Sequence, residues 1–142
     1  MIIGTISAFI ATIGFSIFFH VEKKELLFCG SVGALGWLFY LLCIHFNFSL
    51  IIATFAGALV VSESSMILAK IRKMPVTVFL ISGIIPLVPG AATYQTMYAV
   101  LTGDYLEALG YASYTFQSAA VIAGAIVFTT MLPRILKAKA TS

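Results

Sequence analysis

Charged residues are scarce in this chain, and their scarcity sets the class of protein. Lys, Arg, Asp and Glu together make up 9% of the 142 residues, whereas hydrophobic residues make up 61%. Soluble domains carry about 25% charged and roughly 45–50% apolar residues. So few polar side chains cannot cover a water-soluble globule, and the mean hydropathy is +1.11. The composition excludes a soluble enzyme domain and a disordered segment, and it predicts an integral membrane protein.

The chain also has few of the residues that build disulfide scaffolds or metal sites. Cys29 and Cys43 fall in one apolar run, about 21 Å apart on a helix, which is too far for a disulfide. His20 and His45 are predicted at opposite membrane faces and cannot share a metal ion. No nucleophile–base motif or phosphate-binding loop occurs in the sequence. We therefore expect no catalytic residue, no metal and no cofactor, and we do not expect an enzyme.

Five apolar segments are each long enough to cross a bilayer, which takes about 20 residues. They cover residues 2–19, 26–46, 49–69, 75–101 and 110–132, and Pro133 with the basic tail is expected to end the last one. Their apolar runs are continuous and do not alternate with polar residues as in membrane barrels. The sequence predicts one all-α domain over residues 1–142 with five transmembrane helices.

The basic residues fall in only three regions, all between or after these segments. They are Lys23, Lys24, Lys70, Arg72, Lys73, Arg134, Lys137 and Lys139. With five spans these regions share one membrane face, while the opposite face carries Asp104 and Glu107 and no Lys or Arg. Cytoplasmic loops are enriched in Lys and Arg. The pattern predicts an outside N-terminus and a cytoplasmic C-terminus, and it explains the net charge of +3 without a nucleic-acid partner.

Small residues recur in three of the predicted helices. They are Gly30, Gly33, Gly36, Ala53, Ala56, Gly57, Ala119, Ala120, Ala123 and Gly124. Membrane helices associate where small residues let their backbones approach, so these positions predict helix packing. A related stripe of Ser113, Gln117, Ala120 and Gly124 shares one face of the last helix, and we expect it to face protein.

The fourth segment carries the most informative sequence, GIIPLVPG at residues 83–90. Each proline costs about 3 kcal/mol inside a helix, so two of them flanked by glycines predict a break near the bilayer midplane. Non-helical backbone at that depth is tolerated where it is buried in protein or lines a cavity. Pro89 is expected at the first position of a second half-helix, whose free N–H groups from Gly90 onward favour a carboxylate. The alternative is a kink that only shapes packing.

Hydroxyl groups follow this break. Thr93 and Thr96 are three residues apart and Tyr94 and Tyr98 four apart, so each pair shares a helix face. Such a face can contact a polar solute, or its members can bond to neighbouring helices.

Glu63 is the one acidic residue inside a predicted span. Ionisable groups in membranes usually face an interior or a water-filled cavity, where a carboxyl group can carry a proton. The sequence therefore makes Glu63 a candidate coupling residue. The alternatives are that it reaches the interface or pairs with Lys70 or Arg72.

The run PVTVF at residues 75–79, the run GIIPLVPG and Tyr94 together resemble the hallmark of the threonine/serine exporter family. The likeness is to its smaller domain, which is a separate subunit in some members and the C-terminal half of a fused chain in others. The resemblance implies export of small carboxylate-bearing metabolites across a prokaryotic inner membrane. Threonine and serine are associated with the family, and dicarboxylates such as succinate with its two-subunit members.

The resemblance also implies a larger partner subunit, and it leaves open whether the chain forms a homo-oligomer. The candidate substrate-binding residues are Gly83, Pro86, Pro89, Gly90, Thr93 and Tyr94. The alternative function is a non-transporting assembly or regulatory subunit, which dry packing around residues 86–90 would favour.

The topology can be tested by cysteine labelling in a chain whose two native cysteines are replaced. A membrane-impermeant reagent applied from outside is expected to label Asp104→Cys and to miss Arg72→Cys. Labelling of both positions from outside, or the reverse pattern, would contradict the five-span arrangement.

Overall fold

The computed structural model describes the backbone of residues 1–140 and the side chains of residues 1–131. Its six α-helices are Ile2–Phe18 (α1), Leu26–His45 (α2), Leu50–Arg72 (α3), Val76–Ile84 (α4), Gly90–Thr102 (α5) and Tyr105–Ala140 (α6), with a 3₁₀ turn at Ile85–Leu87. No strand occurs among residues 1–140. The predicted all-α class is confirmed.

Three helices are long and apolar enough to span a membrane alone, namely α2, α3 and the part of α6 over Tyr105–Met131. A fourth candidate is the pair formed by α4 with its 3₁₀ turn and α5, whose axes differ by 53°. The remaining helix, α1, has 17 residues, or roughly 26 Å, against a hydrocarbon core of about 30 Å. The described residues thus hold three or four candidate spans, and a fifth stays a prediction.

Two helix ends follow local signals in the sequence, and one expected helix end is not observed. The Ser49 side chain accepts a hydrogen bond from the N–H of Ile52 at 3.4 Å and begins α3. Gly103 ends α5 with a left-handed φ of 83°, which glycine adopts without strain. The expectation that Pro133 ends the last helix is wrong, because α6 continues to Ala140. Proline has a helical φ and removes one hydrogen bond, a loss that membrane helices tolerate.

The second and third helices form the centre of the bundle. α2 packs against α1, α3 and α4, and α3 packs in addition against α6. Within the described part of the chain, α5 packs against α6 and no other helix. The helix after the break is therefore held to the rest of the molecule through α6.

The predicted packing role of the α2 glycines is confirmed. A Cβ added to Gly30 would lie 2.8 Å from the Phe9 ring, and one on Gly33 would overlap Thr12, so α1 lies directly on this face. The small residues of α6, which were also predicted to pack against a helix, are not buried in this chain. Ala119, Ala120, Ala123 and Gly124 are exposed in this chain.

The backbones of α2 and α3 approach each other closely at Gly36, in the middle of α2, and Gly57 of α3. A Cβ on Gly57 would lie 2.9 Å from the Gly36 carbonyl oxygen and 3.0 Å from Leu87 Cδ2. Leu87 is buried over this crossing. The 3₁₀ turn is thereby anchored level with the middle of α2.

We expect Gly57→Ala to destabilise the fold. Ala favours a helix over Gly by about 1 kcal/mol, but its Cβ forces two backbones apart, and such overpacking costs typically about 1–3 kcal/mol. Thermal unfolding of the detergent-solubilised protein measures the effect. Gly14→Ala is the matched control, because a Cβ there meets no atom within 4 Å. Equal or higher stability of Gly57→Ala would contradict the close approach.

Candidate functional site

The helix is interrupted at the proline–glycine run. α4 ends at Ile84, the 3₁₀ turn follows, Val88 is extended with ψ 132°, and Pro89 is the N-cap of α5. The Val88 N–H donates to the carbonyl of Ile85 at 3.1 Å. Pro86 and Pro89 have no N–H, so neither can continue an α-helical ladder. Pro89 lies one position earlier than expected, at the N-cap rather than in the first turn.

This geometry decides which N–H groups are free at the beginning of α5. The Gly90 N–H donates to the Val88 carbonyl at 2.7 Å, and the first helical bond runs from the Thr93 N–H to the Pro89 carbonyl at 3.0 Å. The N–H groups of Ala91 and Ala92 have no backbone acceptor among the described residues. The sequence predicted free amides from Gly90 onward, and the structure assigns them to the next two residues. They carry the positive end of the helix dipole.

The two residues that carry these amides, Ala91 and Ala92, line a cavity of about 530 Å³ between α5, α6 and the beginning of α3. It is lined by Leu50, Ala91, Ala92, Gln95, Glu107, Gly110, Tyr111 and Tyr114. Ligand sites commonly measure roughly 300–1,000 Å³ and combine apolar walls with a few polar groups. Within this lining, the Tyr111 hydroxyl donates to Glu107 Oε1 at 3.2 Å. The lining therefore includes the two α5 residues whose N–H groups have no backbone acceptor and an acidic residue of α6.

The candidate residues of the proline–glycine run do not form one cluster. Gly83 is buried, and a Cβ there would lie 2.6 Å from Val32 Cγ1, so this residue packs against α2. Pro86 is half-buried in the 3₁₀ turn, whereas Gly90 is exposed with open space around it. The run therefore supplies a packed side toward α2 and an open side at α5.

The hydroxyl residues after the break lie in two different places. Thr93 and Thr96 line a second cavity of about 440 Å³ between α5 and α6. Their hydroxyls donate to the carbonyls of Pro89 and Ala92 within their own helix, at 2.9 and 2.8 Å. Tyr94 is 70% exposed and its ring stacks on that of Tyr98 with centroids 6.3 Å apart. Neither threonine hydroxyl donates to a neighbouring helix in the described structure.

Glu63 is exposed on α3, away from both cavities. The acid that pairs with Arg72 is Glu25, just before α2, with Nη2 and Oε1 2.6 Å apart and Nε 3.0 Å from both carboxylate oxygens. Glu25 is 4% exposed, and the guanidinium group also lies 4.6 Å from the Phe28 ring centroid. Sequence reasoning missed this pair because an acid beside two lysines in a connector reads as a solvated charge.

Hydrogen bonding to Arg72 lowers the pKa of the Glu25 carboxyl group, although burial opposes the shift. A lowered pKa in the folded state means that the pair stabilises the fold above the unfolded pKa of the carboxyl group. That stabilisation is lost as the pH falls through the folded pKa. The ion pair joins the beginning of α2 to the end of α3.

Sequence reasoning also missed the cavity, although one signal pointed to it. Gly103 and Asp104 form the turn between two antiparallel helices, so residues at similar distances from that turn lie opposite each other. Gln95 precedes the turn by about two helical turns and Tyr111 follows it by about two. The missing information is which face each helix turns toward its neighbour.

Comparison with known proteins identifies relatives over nearly the whole chain. The model of a family described as "Threonine/Serine exporter, ThrE" matches residues 4–136. An uncharacterized protein of Haemophilus influenzae is 29% identical over 136 residues, which cover 91% of this chain and 45% of that protein. The chain thus spans less than half the length of this curated relative. No solved structure matches the chain.

Proposed function

Because the chain belongs to the threonine/serine exporter family, we propose that it is the smaller membrane subunit of a secondary exporter for small carboxylate-bearing metabolites. Its substrates are amino acids of the threonine and serine type or dicarboxylates such as succinate. It works in a prokaryotic inner membrane with its N-terminus outside. The observation that carries this proposal is the cavity of about 530 Å³ at the beginning of α5.

The chemistry of that cavity suits a carboxylate. The free N–H groups of Ala91 and Ala92 carry the positive end of the helix dipole, which attracts anions. Discontinuous helices in other transporters bind anionic substrates in this way. Breaking the helix at the prolines creates these donors without placing a buried positive charge in the membrane. A site of this kind binds a substrate anion and still releases it.

The position of the cavity suits the last stage of export. It extends from the beginning of α5, close to the break, to Leu50, the first residue of α3. With the predicted topology, Leu50 lies toward the outer face. On the cytoplasmic side of the break, Phe79 and Gly83 are buried in the bundle. We assign this arrangement to an outward-facing state.

The larger partner subunit is proposed to cover the outer face of α6. That face carries the predicted stripe of Ser113, Gln117, Ala120 and Gly124, all of which are exposed in this chain. The Gln117 side-chain amide donates to Ser113 Oγ at 3.0 Å, and polar groups of this kind are costly against lipid. Since the relative is more than twice as long as the matched region, it has the chain length for the missing half.

Glu63 is proposed to couple export to protons from the exposed face of α3. Glu63→Gln keeps the shape of the side chain and removes its charge, so export is expected to fall and to lose its pH dependence while membrane insertion is unchanged. Export measured over a pH series checks this. If the pH profile of export is unchanged in this variant, Glu63 has only a structural role.

The break itself is tested by replacing Pro86 and Pro89 together with Ala. Ala favours a helix interior over Pro by about 3 kcal/mol per site, so one continuous helix is expected. The N–H groups of Ala91 and Ala92 would then bond to carbonyls one turn earlier, and the anion site would be lost. The double variant is expected to assemble as well as the parent but to export poorly.

Gly90→Val is a second variant of the same site. It places a branched side chain in the open space where a substrate carboxylate approaches the backbone, and export is expected to fall. Both results are normalised to the amount of assembled complex. Full export by the double variant would show that the break is only a packing kink, and the proposed carboxylate site would have to be abandoned.

The partner face is tested with Gly124→Leu. A Cβ at Gly124 meets no atom of this chain within 4 Å, so the fold is expected to survive while the larger subunit is displaced. Co-purification of that subunit is expected to fall at least about tenfold, as for a loss of roughly 1.4 kcal/mol. Gly14→Leu on α1 is the matched control with equally open space. Undiminished co-purification with Gly124→Leu would place the partner elsewhere.

A further inference from the structure

We propose that the interface between α3 and α6 is the closed cytoplasmic half of the solute path, which opens to admit water and a small anionic solute. Three buried hydroxyl groups, those of Ser62, Ser118 and Thr129, are the polar groups that line it. This inference rests on the proposed export function. It adds a route from the cytoplasmic side to the cavity at the beginning of α5.

One interface holds α5 and α6 to the rest of the bundle. Within the described residues, α5 packs against α6, and α6 packs against α5 and α3 and no further helix. The chain itself connects the two parts across the 3₁₀ turn and Val88, where Pro86 and Pro89 have no N–H to donate. A movement of α5 and α6 relative to the other helices therefore takes place at the contact of α3 with α6.

The face of α6 that meets α3 carries Ser118, Ile122, Ala125 and Thr129. Their spacing of four, three and four places them on one side of the helix, and all four are buried. Ile122 and Ala125 belong to the hydrophobic core cluster, which among the described residues includes members of α2, α3 and α4 and none of α5. Since α6 contacts only α3 and α5 in that part of the chain, these residues join the core through α3.

A buried face of α3 has the same spacing and carries Ala58, Ser62, Ser65 and Ala69. The residues that α3 turns toward α2 and α4 are Gly57 and Val61, and a Cβ on Gly83 of α4 would lie 3.1 Å from Val61 Cγ1. Ala58 and Ser62 follow these two by one position each, or about 100° around the helix. This second face is therefore the one that α6 covers, and we call the two faces together the α3–α6 seam.

The seam contains buried hydroxyl groups that lack a partner. Buried hydroxyls in α1 donate to the carbonyl one turn earlier, as those of Thr12 and Ser16 do at 2.7 Å. The hydroxyls of Ser62, Ser118 and Thr129 have no hydrogen-bond partner among the described residues, although each residue is at most 2% exposed. A buried polar group without a partner has lost its hydrogen bonds to water. The three hydroxyls regain such bonds when the seam is wet.

The seam continues the cavity toward the cytoplasmic face of the predicted topology. Leu50 of α3 and Tyr111 of α6 both line the cavity, and the seam residues follow later in both helices. Ser118 and Thr129 come 7 and 18 residues after Tyr111, and Ser62 comes 12 after Leu50, or about 11, 27 and 18 Å along the helices. The interface thus has an open outer end and a closed inner end. Transporters alternate access by rocking one group of helices against another around such a site.

Cysteine accessibility tests the opening in the complex with the larger subunit, in inside-out membrane vesicles and with both native cysteines replaced. The probe is 2-sulfonatoethyl methanethiosulfonate, a small membrane-impermeant anion that modifies thiols. Ser62→Cys and Thr129→Cys are expected to react at least about tenfold faster than Ser16→Cys, because an open state populated at even roughly 0.1–10% exposes them to water. Ser16 is the matched control, since it is equally buried but lies in α1.

A second variant separates the path from mere packing. Thr129→Val keeps the volume of the side chain and removes the unpartnered hydroxyl, so the thermal unfolding temperature is expected to stay or rise. Export is expected to fall about fivefold, as for one hydrogen bond lost from the open state. Thr12→Val, whose hydroxyl donates to the Ala8 carbonyl, is expected to export as the parent does. A lower unfolding temperature with unchanged export in Thr129→Val would overturn the inference.

The outcomes distinguish this inference from the function on which it rests. If the complex exports but Ser62→Cys and Thr129→Cys react no faster than Ser16→Cys, the solute reaches the cavity by another route. The inference is then overturned and the exporter stands. Fast labelling in a complex that exports neither threonine nor succinate would overturn the exporter function and support an interface that opens to water.

Discussion

The contact of α2 with α3 at Gly36 and Gly57 is the constraint on which the rest of the structure depends. The two backbones approach so closely that a Cβ on Gly57 would lie 2.9 Å from the Gly36 carbonyl oxygen. Lipid supplies no hydrophobic drive between helices, so contacts of this kind hold a membrane bundle together. Leu87 lies over the same crossing. The turn between α4 and α5 is fixed there, and the direction in which α5 leaves the bundle follows from it.

The open site is a consequence of that fixed turn. Two prolines beside Leu87 prevent the helix from continuing, and the next helix begins with N–H groups that no carbonyl of the described chain accepts. Because α5 then packs against α6 and no other helix of the described chain, a gap remains beside its first turn. One side of the proline–glycine run thus packs in the bundle, while on the other side the first residues of α5 line a cavity.

Local patterns in the sequence predicted much of this fold. Continuous apolar runs gave the helical class, and the glycines of α2 gave its close contacts, since both depend on residues near in sequence. The cavity depends on which faces of α5 and α6 meet, and periodicity cannot supply that rotation. Glu25 was missed because burial of a connector acid depends on Arg72, which lies 47 residues away in sequence. The exposed Ser113 and Gln117 show the same limit, because one chain alone does not fix what a polar stripe faces.

Within the part of the chain that the structure describes, α5 packs against α6 alone, and this has a mechanical consequence. Among the described residues, two backbone hydrogen bonds lie in the segment between the 3₁₀ turn and α5, from Val88 to Ile85 and from Gly90 to Val88. Each contributes about 1 kcal/mol net, and neither proline adds another. Val88 is extended and exposed, so the connection between α4 and α5 has little hydrogen bonding of its own to fix the direction of α5. In the proposed export function, a molecule bound in the cavity would contact both α5 and α6, and it would thereby also hold the angle between these two helices.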